Sequence, residues 1–204
     1  RLLAEETPDD DEIVLTSEKS YSNVFHANGG SASFSVMANT LRGVYGTDVL
    51  LATANSFTGS VLQADYNQKM AASMIMPNGL MSRQRTMTGA ELKETVRAFV
   101  EGCEGGFVPF NRGSLPVVSG IAVEVKEASG SYTLTGITRN GQPLGDNDTV
   151  TVTCLATEKQ LDTLLASESG TSAGEDAWVK DTWCDYVSDG GAALAEPENY
   201  MTLR

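Results

Sequence analysis

Histidine is nearly absent from these 204 residues, with His26 the single example, and cysteine is scarce at three. A centre that holds two metals and activates water draws on clustered Asp, His and Asn side chains. One histidine, with no D-x-H or G-N-H-x cluster, excludes such a centre in this chain. Cys103, Cys154 and Cys184 lie far apart and form no C-x-x-C pair, which argues against a zinc site. They read as three buried free thiols, with one disulfide and a leftover thiol as the other arrangement. A Ser-His-Asp triad would have to use His26, which sits in a polar "FHANGG" stretch with no G-x-S-x-G elbow. Taken alone, the chain is not expected to catalyse a reaction.

Positive charge is also short: 14 Lys and Arg stand against 27 Asp and Glu, for a net charge of −13. Nucleic-acid polymers and anionic membranes would be repelled, so neither is expected as a partner. A small anion is not excluded, because local donors can override the global field; the acidity equally serves solubility. No hydrophobic run reaches the roughly eighteen residues of a membrane span, and no signal peptide is visible. The first residue is Arg rather than Met, which suggests a processed chain or a piece of a longer protein. Residues 1–12, "RLLAEETPDDDE", read as a linker or tail, and the run Asp9–Glu12 as solvated charge rather than a metal site.

What remains is patterned. An edge strand is expected near Ile13–Thr16. Phe34, Met37, Ala38, Leu41 and Tyr45 recur at helical spacing, which predicts a helix over Ser33–Tyr45. A buried strand, Asp48–Ala52, runs into a small-residue loop, Ala54–Ser60, then a short helix around Tyr66–Ser73 and a strand near Leu80–Thr86. Thr88 and Glu91 form a T-x-x-E capping box for a helix over Gly89–Glu101, whose Leu92, Val96, Phe99 and Val100 make one apolar stripe. Residues 102–113, "GCEGGFVPFNRG", form a Gly-rich loop whose Phe107, Phe110 and Arg112 either make a binding lip or plug a core edge. Alternation predicts strands through Ile121–Val125 and Tyr132–Gly136, and Asn140-Gly141 signals a tight turn. A strand at Thr149–Leu155 leads to a second capping box, Thr157 with Gln160, opening a helix that buries Leu161, Leu164 and Leu165. "ASESGTSAGED" (166–176) reads as a flexible loop. The last helix presents Val179, Trp183, Tyr186 and Val187 on one side and stops at Gly190-Gly191. A loop at a strand's C-terminal end in an open sheet is a common ligand site, so Ala54–Ser60 is the first place to look.

The order "TDVLLATAN" (47–55), "ADYN" (64–67), "IMPNGLM" (75–81), "MTGAELKETV" (87–96), "LPVVSGIAVEV" (115–125) and "ITRNGQPLGDNDTVTV" (137–152), closed by "WVKDTWCDYV" (178–187), resembles the C-terminal domain of the 5'-nucleotidase family. That domain is the substrate-recognition half of secreted and periplasmic two-domain metallophosphatases. The resemblance spans residues 13–204. It implies an α/β (α+β) fold, a mixed sheet with flanking helices. It also implies divalent metals carried only by an upstream metallophosphatase domain, with no cofactor in this one. In that family two aromatic rings sandwich the base while Asn and Arg hold base, ribose or phosphate. Stacking on a ring contributes about 1–3 kcal/mol and tolerates different bases.

Carried over by position, Asn55 matches the family's loop Asn, and the three glycines after it become Ser56, Phe57 and Thr58. The Arg position falls on Gly59 or Ser60, and the first stacking aromatic on Asn78. The loop that brings the second aromatic is replaced by "ATEKQLDTL" (156–164). Asn55, Phe57, Asn78, Phe107, Phe110 and Arg112 are therefore the candidate substrate contacts, with Arg83 and Arg85 as further possible substitutes. The resemblance implies substrate recognition for nucleotide hydrolysis by a larger extracellular, periplasmic or cell-surface protein, with a nucleotide or other small phosphorylated ligand as partner. The other reading is a module that kept the scaffold and lost nucleotide recognition.

Overall fold

The computed structural model describes residues 12–76, 79–101, 116–128, 131–165, 170–190 and 192–204. In chain order they begin with β1 (Ile13–Ser17), β2 (Phe25–His26), β3 (Gly30–Ser31), α1 (Ala32–Tyr45), β4 (Val49–Thr53), β5 (Ala64–Asn67) and α2 (Gln68–Ala72). Next come β6 (Met81–Thr88), α3 (Gly89–Glu101), β7 (Pro116–Ser119), β8 (Ala122–Ala128), β9 (Ser131–Arg139) and β10 (Gln142–Pro143). β11 (Thr149–Ala156), α4 (Glu158–Leu164), β12 (Thr171–Ser172), β13 (Ala177–Trp178), α5 (Val179–Ser188) and β14 (Met201–Leu203) complete the set.

The central sheet has the order β12-β6-β11-β4-β7, with β13 sharing the free edge of β6. β11 and β4 run parallel, while β6 and β7 flank them antiparallel. A strand buried on both faces needs an unbroken apolar run rather than alternation. β4 meets this with Val49, Leu50, Leu51 and Ala52, all buried, whereas β11 alternates Val150, Val152 and Cys154 with Thr151 and Thr153 before Leu155, and its buried Thr153 hydroxyl is satisfied by the Thr47 hydroxyl at 2.9 Å. A smaller sheet, β10-β9-β8-β14, is mixed as well, since β14 runs parallel to β8. The helix α3 contacts β6 of the first sheet and β9 of the second, so its apolar stripe joins the two. The expected α+β architecture, a mixed sheet with flanking helices, is what the molecule has.

Both capping boxes form. The Glu91 carboxylate accepts from the Thr88 amide at 2.7 Å, and the Glu91 amide donates to Thr88 Oγ1 at 3.2 Å. At α4 the Gln160 side chain accepts from the Thr157 amide at 3.1 Å. Asn140 and Gly141 both take positive φ (53° and 74°), as a two-residue hairpin turn of the I′ type requires, and close β9 onto β10. Gly136, the weak point in the alternation, sits at a β-bulge where Glu124 faces Gly136 and Val125 skips to Leu134.

Three expectations are corrected. Tyr66 and Asn67 belong to a strand that pairs with β1, and the helix starts only at Gln68, because Asn67 caps it by accepting from the Met70 amide at 2.9 Å. The described part of the loop 166–176 is held: Thr171–Ser172 pairs with Arg85 and Thr86, and Asp176 grips Arg83. Composition reads as loop there, but the open edge of β6 offers unpaired backbone groups that a polar segment satisfies as well as an apolar one. Of the cysteines, Cys154 is buried and Cys184 only half-buried, both free; Cys103 lies outside the described residues.

α1 is covered more fully than its stripe predicts. Ser35, Asn39 and Thr40 are buried too. They bind the extended segment before β14: Ser35 Oγ donates to Glu198 O (2.9 Å), Asn39 Nδ2 to Glu196 O (2.8 Å), and Thr40 Oγ1 accepts from the Ala195 amide (2.9 Å). Tyr200, 1% exposed, anchors that segment beneath Gly30, with its hydroxyl accepting from the Ser31 amide at 3.2 Å.

Candidate functional site

Parallel β4 and β11 end at the same edge of the central sheet. Antiparallel β6 and β7 begin there: Ala156 pairs with Met81, and Thr53 with Pro116. The C-terminal ends of parallel strands are where open sheets bind ligands. From Thr53 the chain makes one turn of 3-10 helix, Ala54–Ser56. This turn is tied to the segment after α2 by a Phe57–Ile75 bridge and by two backbone bonds, Thr58 N to Met74 O (3.0 Å) and Met76 N to Ser56 O (3.0 Å). Two loops are thereby fused into one rim.

Asn55 stands exposed on that rim, and its side chain makes no hydrogen bond among the described residues. Beside it Ser56 Oγ is buried without a partner among the described residues. Met76 is 50% exposed at the same place and supplies an apolar surface. Phe57 lies elsewhere: it is 5% exposed and stacks on Phe34 of α1 with ring centroids 6.2 Å apart. A residue that leaves a 3-10 turn can point inward as readily as outward, and here the apolar ring takes the core. Asn78, Phe107, Phe110 and Arg112 lie outside the described residues.

Arg83 is engaged by acids. Its Nε and Nη2 donate to Asp176 at 2.7–3.1 Å and its Nη1 to Asp162 at 2.8 Å, with its side chain 12% exposed. Those bonds hold its charge more firmly than usual and leave it no free fork for a phosphate. Arg85 sits at mid-strand opposite Val152, away from the rim, and among the described residues its side chain donates at 3.4 Å to its neighbour's carbonyl. Cys154 pairs with Arg83 across the strands, and burial pushes its thiol up to about 12 against the pull of Arg85 and Arg83, which disfavours the reactive thiolate. Among the described residues no group of three or more His, Cys, Asp or Glu side chains could hold a metal ion. No helix among them is long and apolar enough to cross a membrane. The described part of the rim thus offers hydrogen bonds and apolar contact. It presents no general acid, base or activated nucleophile.

No protein-family model and no curated protein matches this chain. Solved structures do match by shape. The 5'-nucleotidase precursor of Thermus thermophilus superposes with a TM-score of 0.67 at 13% identity, covering 95% of this chain and 39% of that one. The NAD nucleotidase of Haemophilus influenzae gives 0.66 at 16% identity, with 96% and 39% covered. The sulfate thiohydrolase SoxB of Thermus thermophilus gives 0.66 at 14%, with 94% and 35%. The fold resemblance read from the order of the motifs is therefore real, and this chain spans about two fifths of the length of those proteins.

Proposed function

We propose that these residues are the substrate-recognition, C-terminal domain of a 5'-nucleotidase-like phosphoesterase of the cell exterior or periplasm, whose metals are held by another domain. The observation that carries the reading is topological. Nearly the whole chain follows the fold of part of such enzymes, and its rim lies at the C-terminal ends of β4 and β11 with Asn55 exposed on it. In this reading Asn55 hydrogen-bonds a nucleotide or another small phosphorylated ligand. In the same reading Phe107, Phe110, Arg112 and Asn78 are the candidates to supply rings, a cation and a further amide.

A second reading has its own support. Phe57 is buried in the core and Arg83 is neutralised by Asp162 and Asp176, as expected of a module that kept the scaffold and lost nucleotide recognition. Titration calorimetry of the chain with AMP and adenosine separates the two. Micromolar binding abolished by Asn55→Ala supports the recognition domain; affinity no better than about millimolar supports the module.

A further inference from the structure

A second polar cleft, about 430 Å³, lies at the opposite end of β4, lined by Arg42, Asp48, Gly120, Arg139 and Glu198 among others. Five strand residues, about 17 Å, separate it from the Asn55 rim. Arg42 enters it from the last turn of α1 and is held from behind. Its Nε donates to Ser119 Oγ at 2.8 Å, Ser119 donates to Asn39 Oδ1 at 2.5 Å, and Asn39 donates to Glu196 O at 2.8 Å. Ser119 is 1% exposed and Asn39 6%, so this relay fixes the plane of the guanidinium from the interior. Among the described residues nothing accepts from the two terminal nitrogens of Arg42, and no carboxylate lies within 4.0 Å of them. In a chain of net charge −13, a half-buried guanidinium without an acid partner is unusual, since charges withdrawn from water are normally paired.

The surroundings keep that fork open. Asp48, the nearby acid on β4, is already engaged: Arg139 binds its Oδ1 at 2.5 Å, and the Thr151 amide and hydroxyl bind its Oδ2 at 2.8 and 3.0 Å. Arg139 uses only one nitrogen for this, so it brings further donors to the same cleft. Gly120 takes φ 81°, and a Cβ there would stand 2.0 Å from Asp48 O and 3.2 Å from Arg42 Cδ. Only glycine lets β4 and the Arg42 stem pass this close. Glu198, exposed, also lines the cleft and opposes an anion, but it makes no ion pair with Arg42.

A planar, pre-oriented fork beside a second guanidinium matches two oxygens of one group. We propose that this cleft binds a small oxyanion, a carboxylate or a phosphate, on the terminal nitrogens of Arg42 with help from Arg139. The site is separate from the rim and does not depend on the nucleotidase reading.

The test titrates the 204-residue chain at low ionic strength with inorganic phosphate and, separately, succinate, following backbone amide shifts. Saturable shifts at Gly120, Arg139 and Asn140, in the millimolar range, are expected with at least one probe, and the tighter probe identifies the source. Arg42→Ala should weaken binding tenfold or more, and Glu198→Gln should tighten it two- to fivefold. Arg42→Lys keeps the charge but loses the Nε anchor and the fork, so a fivefold loss is expected even if Arg42→Ala does not fold. Unchanged affinity in Arg42→Lys, shifts confined to residues 54–60, or no saturable shift with either probe would overturn the proposal.

Discussion

Asp48 shows how a single side chain joins two sheets. It caps the start of β11 through Thr151 and reaches β9 through Arg139. Burial raises its pKa, but the Thr151 bonds and the Arg139 charge together outweigh that and hold it below the ordinary carboxylate value. A depressed carboxylate contributes stability that is complete above its unfolded pKa, about 3.9, and lost as pH falls through the folded value. Asp48→Asn should therefore lower the urea midpoint at pH 7 and give a shallower acid limb below about pH 4. Midpoints measured across pH in both proteins check this, and parallel acid limbs would mean the carboxylate is not linked to folding. Arg83 is the other such residue. Arg83→Met should cost about 1–2 kcal/mol, reduced by the exposure of its acid partners. Amide exchange should quicken across residues 170–176 while β4 stays protected.

Elements depend on local signals that were plain in the chain and on one distant segment that was not. The Thr88–Glu91 box and the stripe under α3 were legible because a helix start and a 3.6-residue period are short-range features. Thr88→Ala should cost about 1 kcal/mol, and Leu92→Ala, fully buried, about 2–5 kcal/mol. Equal, near-zero shifts in denaturant midpoint would contradict the packing of α3 between the sheets. For α1 the apolar stripe was legible, but the burial of Ser35, Asn39 and Thr40 was not. Their partners lie more than 150 residues away, and a polar side chain gives no advance sign of whether water or backbone will satisfy it. Gly30 tests this closure: a Cβ would stand 2.2 Å from the Tyr200 ring, at φ 79°. Gly30→Ala should cost about 2–4 kcal/mol from the clash and the left-handed backbone. Thermal unfolding reads that loss directly.

At the scale of the whole molecule, the 204 residues should not hydrolyse nucleoside monophosphates with any divalent metal, because the sequence holds one histidine and no D-x-H or G-N-H-x cluster. Steady turnover by protein freed of contaminating phosphatases would sink that expectation. Scarcity of histidine, acidity, the apolar run of β4, both capping boxes and the Asn140-Gly141 turn were all readable beforehand, as was the order of motifs that matches the nucleotidase fold. Each is local or compositional, so no long-range contact is needed to see it. The inward turn of Phe57, the capture of Arg83 by Asp176, the pairing of Thr171–Ser172 on β6 and the Arg42 cleft became visible only in three dimensions. They join residues 23 to 93 positions apart, and their outcome rests on competition among partners: a ring between core and solvent, a guanidinium between ligand and carboxylate. Such competition is decided by which partners the fold brings together, and that is a property of the packed chain rather than of any stretch within it.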